Sequence, residues 1–475
     1  MANQTKPEKK TTKIEPLRII QEEPICAIST PLGEGGISII RLSGAGVFEK
    51  IAKVFKAHRE KTQIERVPSH RILYGGVFSF QGRKIDEVLL LIMRAPHSYT
   101  REDVIEIHCH GGIMAGQRIL QLLNSIGIRL AEAGEFTKRA FLNGRIDLAQ
   151  AEAVMELIRS KSDLGYEAVL NQLDGGLSFR VNQVRDLLIN ILARIEVSID
   201  FCEEDIDFID IKTLQVEVGK AIQQIKGIMN ASEDGILLRE GLKTVITGRT
   251  NVGKSSLFNT LLRMERAIVT PHPGTTRDLL EETAMVGGVL LRIIDTAGFR
   301  QSSDPVEQEG ITRSVSAKQS ADLILLVLDG SEPLCDVDLE LIQKTSERKR
   351  IIIINKTDKK KVWNPKSLWS GPIIEISATS GVGMEMLHQE VRRVVFGGVS
   401  QRDQSPLVTT LRQRGAFQKA HDSLNHLLRS SEKQMSWEFL AVDLRGALDA
   451  LGEVTGVTVS ENILDRIFKG FCIGK

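Results

Sequence analysis

No stretch of this sequence is apolar for long enough to cross a bilayer; the run Val88-Leu-Leu-Leu-Ile-Met93 reads as a core strand. The first residues, to about Pro16, lack the apolar core of a secretion signal and the Arg- and Ser-rich pattern of a transit peptide. Polar and Lys-rich, residues 1–23 read as the disordered tail of a cytoplasmic protein with no membrane partner. Cysteine is sparse: Cys26, Cys109, Cys202, Cys335 and Cys472, odd in number and with no C-x-x-C. That excludes a disulfide framework and a structural zinc site and fits a reducing compartment. A surplus of either charge is missing too. The formal net charge is +1, so a strong nucleic-acid field is not written into the bulk composition, although a local patch stays open. What is present is ordinary globular material: 475 residues, 42% hydrophobic and 26% charged, enough for about three domains.

The chain is organised around Gly248-Arg249-Thr250-Asn251-Val252-Gly253-Lys254-Ser255, which fits the phosphate-cradling pattern G-x-x-x-x-G-K-[ST]. The preceding run, Lys243 to Thr247, reads as a buried strand, and Ser256 to Leu262 opens a helix. Strand, glycine loop and helix N-terminus together aim backbone N–H groups at an anion. Asn251, Val252, Gly253, Lys254, Ser255 and Ser256 are the expected nucleotide contacts, with Lys254 on the β- and γ-phosphates and Ser255 on Mg²⁺.

Four later stretches fill out a GTPase. Asp295-Thr296-Ala297-Gly298 follows an apolar run, placing a carboxylate at a strand end, where it can hold Mg²⁺ through water. Gly298 then offers a bare N–H near the γ-phosphate. Asn355-Lys356-Thr357-Asp358 follows Ile351 to Ile354; the Asp358 carboxylate can accept from guanine N1–H and the 2-amino group, whereas adenine presents an acceptor at N1. Ser377-Ala378 ends a third run and resembles the loop that backs the base. Between the first two motifs, Gly274-Thr275-Thr276 supplies a switch threonine, Thr276, to complete the Mg²⁺ shell.

The rest of the chain divides by pattern. Residues 24–143 mix strands at Ile25–Ile28, Gly36–Leu42, Val88–Met93 and Val104–His108 with an amphipathic helix from Gly112 to Ile126, an α+β arrangement. Gly33-Glu34-Gly35-Gly36 is a tight loop without the G-x-G-x-x-G spacing. Residues 144–240 are helical, broken at Asp174-Gly175-Gly176. The acidic stretch Cys202 to Asp210 reads as a solvated turn rather than a metal site. The α/β G domain spans 241–398. Residues 399–475 return to helix, with apolar stripes at Leu411, Phe417, Ala420, Leu424 and Leu427, at Trp437, Leu440, Leu444, Leu448 and Leu451, and at Ile463, Leu464, Ile467, Phe468 and Phe471. Helices before and after the G domain are expected to pack together, making it an insertion in a helical domain.

Several segments resemble the MnmE (TrmE) family of tRNA-modification GTPases: Thr30 to Gly36 with Arg41-Leu-Ser-Gly44, Pro96 to Thr100, Gly134 to Asn143, Leu148 to Ala153, and the terminal Phe471-Cys-Ile-Gly-Lys475. The likeness covers nearly the whole chain. It implies an N-terminal folate-binding domain that drives homodimer formation, and a helical domain carrying the G domain. It also implies a heterotetramer with an FAD-using MnmG (GidA)-type partner, and (carboxymethyl)aminomethyl transfer to the wobble uridine of certain tRNAs. By the same resemblance Arg41, Glu106, Arg145 and Lys475 contact 5-formyl- or methylene-tetrahydrofolate; Arg145 stands where some members have Lys, keeping the cation but not its geometry.

The resemblance also bears on how GTP would be cleaved. Phe299 stands where many small GTPases have a water-orienting Gln. Either hydrolysis is slow or another group replaces it; Glu307 matches the family's catalytic glutamate, although by itself it reads as an exposed glutamate at a helix start. In place of an arginine finger the family binds K⁺ through the P-loop asparagine, here Asn251, under a loop containing Thr270, His272 and Thr275, with Pro271 and Pro273 flanking His272. Two G domains would meet across this ion and hydrolyse on pairing. The C-terminus is expected to complete the one-carbon site, across the dimer, with Cys472 acting in or positioning one-carbon transfer. Two other readings compete. A ribosome-assembly GTPase shares the P-loop asparagine, but such proteins usually place the G domain first, and here about 240 residues precede it. A prenylated membrane switch would use Cys472-Ile-Gly-Lys475, which fits C-a-a-X poorly.

Overall fold

The computed structural model describes residues 23–59, 62–200, 210–264, 281–294, 321–363, 371–395 and 410–475, with side chains omitted for 232–240, 264 and 281. The chain divides into two compact units, one of Met1–Glu152 with Gly456–Lys475 and the other of Ala153–Thr455.

The first unit is built on a seven-stranded sheet in the order β3-β4-β5-β6-β2-β1-β7. Its strands are β1 (Ile25–Ile28), β2 (Ile37–Ser43), β3 (Phe55–Ala57), β4 (Arg71–Phe78), β5 (Lys84–Met93), β6 (Val104–His110) and β7 (Arg129–Leu130). Alternation sets the two faces. Ile40, Leu42, Val88, Leu90, Ile92, Ile105 and Ile107 point into a core shared with the helices Val47–Ile51 and Ile113–Ser125. The other face carries Arg41 opposite Glu106, Glu106 opposite Leu91, and Leu91 opposite Ile72. The last residues of the chain belong to this unit. Helix Glu461–Lys469 packs on helix Glu135–Leu142, and Phe468 lies between Phe141 and Phe471 at ring separations of 6.5 and 5.3 Å. Burial of the Phe468 ring stabilises this anchor by roughly 1.5–3 kcal/mol.

The second unit contains a helical bundle and an α/β domain. Helix Gly176–Asp200 packs on Trp437–Thr455, Ile211–Glu240 on Leu411–Glu432, and the last two on each other, so helices from both sides of the α/β domain form the bundle. Phe417, Ala420, Leu424 and Leu427 face its core, as expected, but Leu411, at the first turn, is exposed. The inserted domain has a six-stranded sheet, β13-β12-β11-β8-β10-β9, formed by β8 (Leu242–Thr247), β9 (Glu281–Val286), β10 (Val289–Ile294), β11 (Leu323–Asp329), β12 (Arg350–Asn355) and β13 (Ile373–Glu375). All but β9 run parallel to their neighbours. Every residue of β11 and β12 is buried, as a strand covered on both faces requires. Among the described residues no helix is long and apolar enough to cross a membrane.

Candidate functional sites

At the C-terminal ends of β8, β11 and β12 the α/β domain brings its motifs together, where ligands settle in open parallel sheets. The glycine loop leaves β8 and enters helix Lys254–Met264. Asn251 adopts φ 63°, a left-handed conformation that asparagine tolerates better than most residues. Lys254 Nζ donates to the carbonyls of Gly248 at 2.9 Å and Arg249 at 2.6 Å, inside the loop's own curve. Val252 is buried beneath the loop, and Ser255 and Ser256 open the helix.

Asn355 ties this loop to the base-side loop. Its Nδ2 donates to Val252 O at 2.9 Å and its Oδ1 accepts from Ala378 N at 2.9 Å, while Thr260 Oγ1 donates to Ala378 O at 2.7 Å. A Cβ on Gly253, already at φ 98°, would stand 2.1 Å from Asn355 Nδ2, so only glycine lets the staple form. Asp358 is exposed, and Ser377 Oγ donates to its Oδ1 at 2.6 Å, holding the carboxyl below the usual range. Lys356 pairs with Asp329, the last residue of β11. Burial pushes Asp329 up, but Lys356 and Ser331 outweigh it and keep the carboxyl ionised. Sequence reasoning passed over Asp329 and Thr260; Asp329 had a usable signal, because it ends an apolar strand just as Asn355 does and sits opposite it in the sheet. The arrangement can cradle phosphates in backbone N–H groups and present a fixed carboxylate to a base edge. Thr270, Pro271, His272, Pro273, Gly274, Thr275, Thr276, Asp295, Thr296, Ala297, Gly298, Phe299 and Glu307 lie outside the described residues, as do Cys202 to Ile209 of the acidic stretch.

A second cluster lies in the first unit. Arg41 Nε and one terminal nitrogen both reach Glu106 Oε1 at 2.8 Å. Two cations lie over the ring of Tyr99, Arg41 at 5.1 Å and Arg145 at 4.7 Å from its centroid, and the Tyr99 hydroxyl is 2.9 Å from Thr137 Oγ1. The loop carrying Tyr99 is fixed from below: buried Glu102 accepts from Ser43 Oγ at 2.6 Å and from Arg139 at 3.2 Å. A cavity of about 480 Å³ opens here, lined by Pro96, His97, Tyr99, Arg101 and Arg145. His108 Nε2 is buried without a hydrogen bond, 3.5 Å from Glu106 Oε2.

Within the single chain, the tail reaches this cluster. Ile473 bridges Ala133, and Ser29 Oγ donates to Gly474 O at 3.1 Å. Gly474 has φ 91°, and a Cβ there would meet Ile28 O at 2.3 Å, so the strap requires glycine. Lys475 is thereby brought within electrostatic reach of Arg41, Glu106 and Cys472; burial first, then Arg41, lowers its pKa. Cys472 is exposed. Cys26 and Cys109 are buried in the sheet, and burial pushes the Cys26 thiol up to about 12. Tyr99 and His108 were missed as site residues in the sequence; only the topology, which pairs β2 with β6, brings them beside Arg41. Among the described residues no cluster of His, Cys, Asp or Glu could hold a metal by itself.

Two family models match the chain: the GTP-binding protein TrmE N-terminus over residues 24–145 and the MnmE helical domain over 148–472. The second match runs across the inserted α/β domain. The tRNA modification GTPase MnmE of Clostridioides difficile is 45% identical over 458 residues, covering 96% of this chain and 99% of that protein. Its counterpart in Alkaliphilus metalliredigens is 44% identical with the same coverages, and that of Ligilactobacillus salivarius is 46% identical over 95% of this chain and 98% of its own. With a helical-domain match spanning most of the chain and relatives alike from end to end, this chain belongs to the MnmE (TrmE) family.

Proposed function

We propose that this chain is a K⁺-stimulated, cytoplasmic GTPase. As a homodimer joined to an FAD-dependent MnmG-type partner, it builds a (carboxymethyl)aminomethyl group at position 5 of the wobble uridine in certain tRNAs, drawing the one-carbon unit from tetrahydrofolate. What supports the folate half is the strapped tail, which ties Gly474 to Ser29 and leaves Lys475 within electrostatic reach of the Arg41–Glu106 pair. The residues suit the ligand. Glu106 offers a carboxylate to pterin N–H donors, the unpartnered His108 Nε2 lies beside it, and Arg145 and Lys475 offer cations to the folate carboxylates. Cys472, exposed three residues before the end, is the thiol assigned in this proposal to act in or position the transfer.

In the G domain, Lys254 moves from its loop carbonyls to the phosphates, Asp358 reads guanine, and Asn355 keeps the two loops in register. Ser255 and Thr276 would hold Mg²⁺, which would supply charge neutralisation at the β- and γ-phosphates. Asn251, Thr270, His272 and Thr275 would hold K⁺, which would supply the positive charge that an arginine finger otherwise brings, and Glu307 would orient the water. Asp295 to Gly298 and Gly274 complete the GTP contacts. In this proposal residues 24–143 form the folate-binding part, 144–240 and 399–475 the helical part and 241–398 the G domain, with 456–475 packed into the N-terminal unit.

Isothermal titration with 5-formyltetrahydrofolate tests the folate assignment. Binding by the full chain and its loss in Arg41→Ala support it, and equal affinity in the two proteins rejects it. GTP turnover in KCl against NaCl at equal ionic strength tests the ion, and equal rates reject it.

A further inference from the structure

The outer edge of the N-terminal sheet carries a second cavity, of about 580 Å³, that no role above uses. Gly76 of β4, on the same face as Tyr74, leaves its floor without a side chain beside the Phe78 ring. Its walls are cations and rings. Tyr74 is about half exposed and lies 5.5 Å, centroid to centroid, from the His58 ring. Lys56 Nζ stands 5.1 Å above the Phe78 ring, and Arg59 closes one side. Lys84 is engaged by Glu87 at 3.0 Å, but among the described residues Lys56 and Arg59 have no acidic partner. In a chain of net charge +1, this is a local concentration of positive charge around flat rings.

Position adds to composition. Lys56 is paired with Gly76, and Tyr74 follows Leu89, His108 and Ile39 across the sheet. By that register the cavity opens on the same face as Arg41 and Glu106, with Tyr74 two strand spacings from Glu106 and three from Arg41, roughly 10 and 14 Å across the sheet. An anionic polymer bound here would pass along the face that holds the one-carbon cluster.

We propose that this cavity binds single-stranded RNA, stacking one splayed base on Tyr74 with the tilted His58 ring at its edge, and meeting the flanking phosphates with Lys56 and Arg59. Exposed aromatic faces between unpaired cations form the platform that single-stranded nucleic acid uses. An acidic peptide would satisfy the cations but leave the rings unused. The inference rests on the tRNA reading above and gives the chain a direct contact with its substrate, independent of any partner protein.

The test is fluorescence anisotropy of labelled unmodified tRNA with the full chain, Tyr74→Leu, Tyr74→Phe and the double variant Lys56→Ala/Arg59→Ala, over a salt series. The expected result is an affinity loss of about 5- to 150-fold for Tyr74→Leu, near-complete retention in Tyr74→Phe, and a salt slope lowered by about one for each phosphate contact removed. GTP hydrolysis stays at the wild-type rate in every variant, which separates the effect from misfolding. Wild-type affinity in both Tyr74→Leu and the double variant overturns the inference while leaving the tRNA reading intact. Absence of tRNA binding by the wild-type chain overturns both. A fall in dimer mass for Tyr74→Leu with tRNA affinity unchanged overturns it in favour of a second copy as occupant, and full competition by free uridine monophosphate overturns it in favour of a small ligand.

Discussion

Replacement of Asn355 by alanine tests the proposed nucleotide site at the residue that holds it together. The side chain is buried and makes two hydrogen bonds of 2.9 Å, to Val252 O in the phosphate loop and from Ala378 N in the base-side loop. Its removal leaves one carbonyl and one N–H without partners, at roughly 1–3 kcal/mol each. Water entering the vacated space recovers part of this, so about 2–4 kcal/mol is the expected net cost. Where bound nucleotide must restore the loops to register, that energy is lost from binding, and GTP affinity falls about 30- to 700-fold. Asn355→Asp is worse than alanine, because a carboxylate then faces Val252 O across the same 2.9 Å. The assay is titration of a fluorescent GTP analogue into the full chain. Affinity in Asn355→Ala within about threefold of wild type would refute the staple, because the difference would then be under ~1 kcal/mol.

The remaining predictions concern base choice, hydrolysis and the tail. Asp358→Asn weakens GTP and improves relative binding of xanthosine triphosphate in a competition assay; unchanged preference removes Asp358 from the base. Glu307→Ala binds GTP normally but loses single-turnover hydrolysis by about 10²-fold or more, and a wild-type rate ends its water-orienting role. Iodoacetamide near neutral pH labels exposed Cys472 ahead of buried Cys26, whose thiol burial raises to about 12; equal labelling in a peptide map contradicts the packing. Lys475 has a lowered pKa when docked, so the undocked tail binds more protons, and docking strengthens as pH rises toward the ordinary lysine value of 10.5 and weakens as pH falls through the docked value. Amide protection of Ile473 and Gly474, corrected for intrinsic exchange, should therefore rise as pH is raised toward 10.5, and a fall over that range would contradict the sign.

The sequence showed most where chemistry is local. The glycine loop, Asn355 to Asp358 and Ser377-Ala378 each follow an apolar strand, and a parallel strand's C-terminal end is the one place where such residues converge. Long helices were legible from their stripes for the same reason: the period is in the sequence. Strand β4 was not. It contains Gly75 and Gly76, which break the alternation, and its exposed face carries Ile72 and Tyr74 rather than polar residues. Non-local assembly was equally hidden. That Arg41 and Arg145 both lie over Tyr99 depends on β2 pairing β6, and that the tail returns to its own chain depends on Gly474 approaching Ile28. Helix Glu461–Lys469 read as part of the C-terminal helical segment, yet it joins the N-terminal unit, because its partners are Phe141 and the helix at Glu135–Leu142. An apolar stripe specifies burial but not the partner that buries it.

The central claim is that GTP hydrolysis by this chain serves wobble-uridine modification. Its most direct test is mass analysis of wobble nucleosides in tRNA from a strain lacking the gene, complemented with the wild-type chain or with Lys254→Ala. The expected result is 5-substituted uridine with the wild type and its loss, leaving the unsubstituted 5 position, both in the deletion strain and with Lys254→Ala. A full complement of 5-substituted wobble uridine in the deletion strain would contradict it.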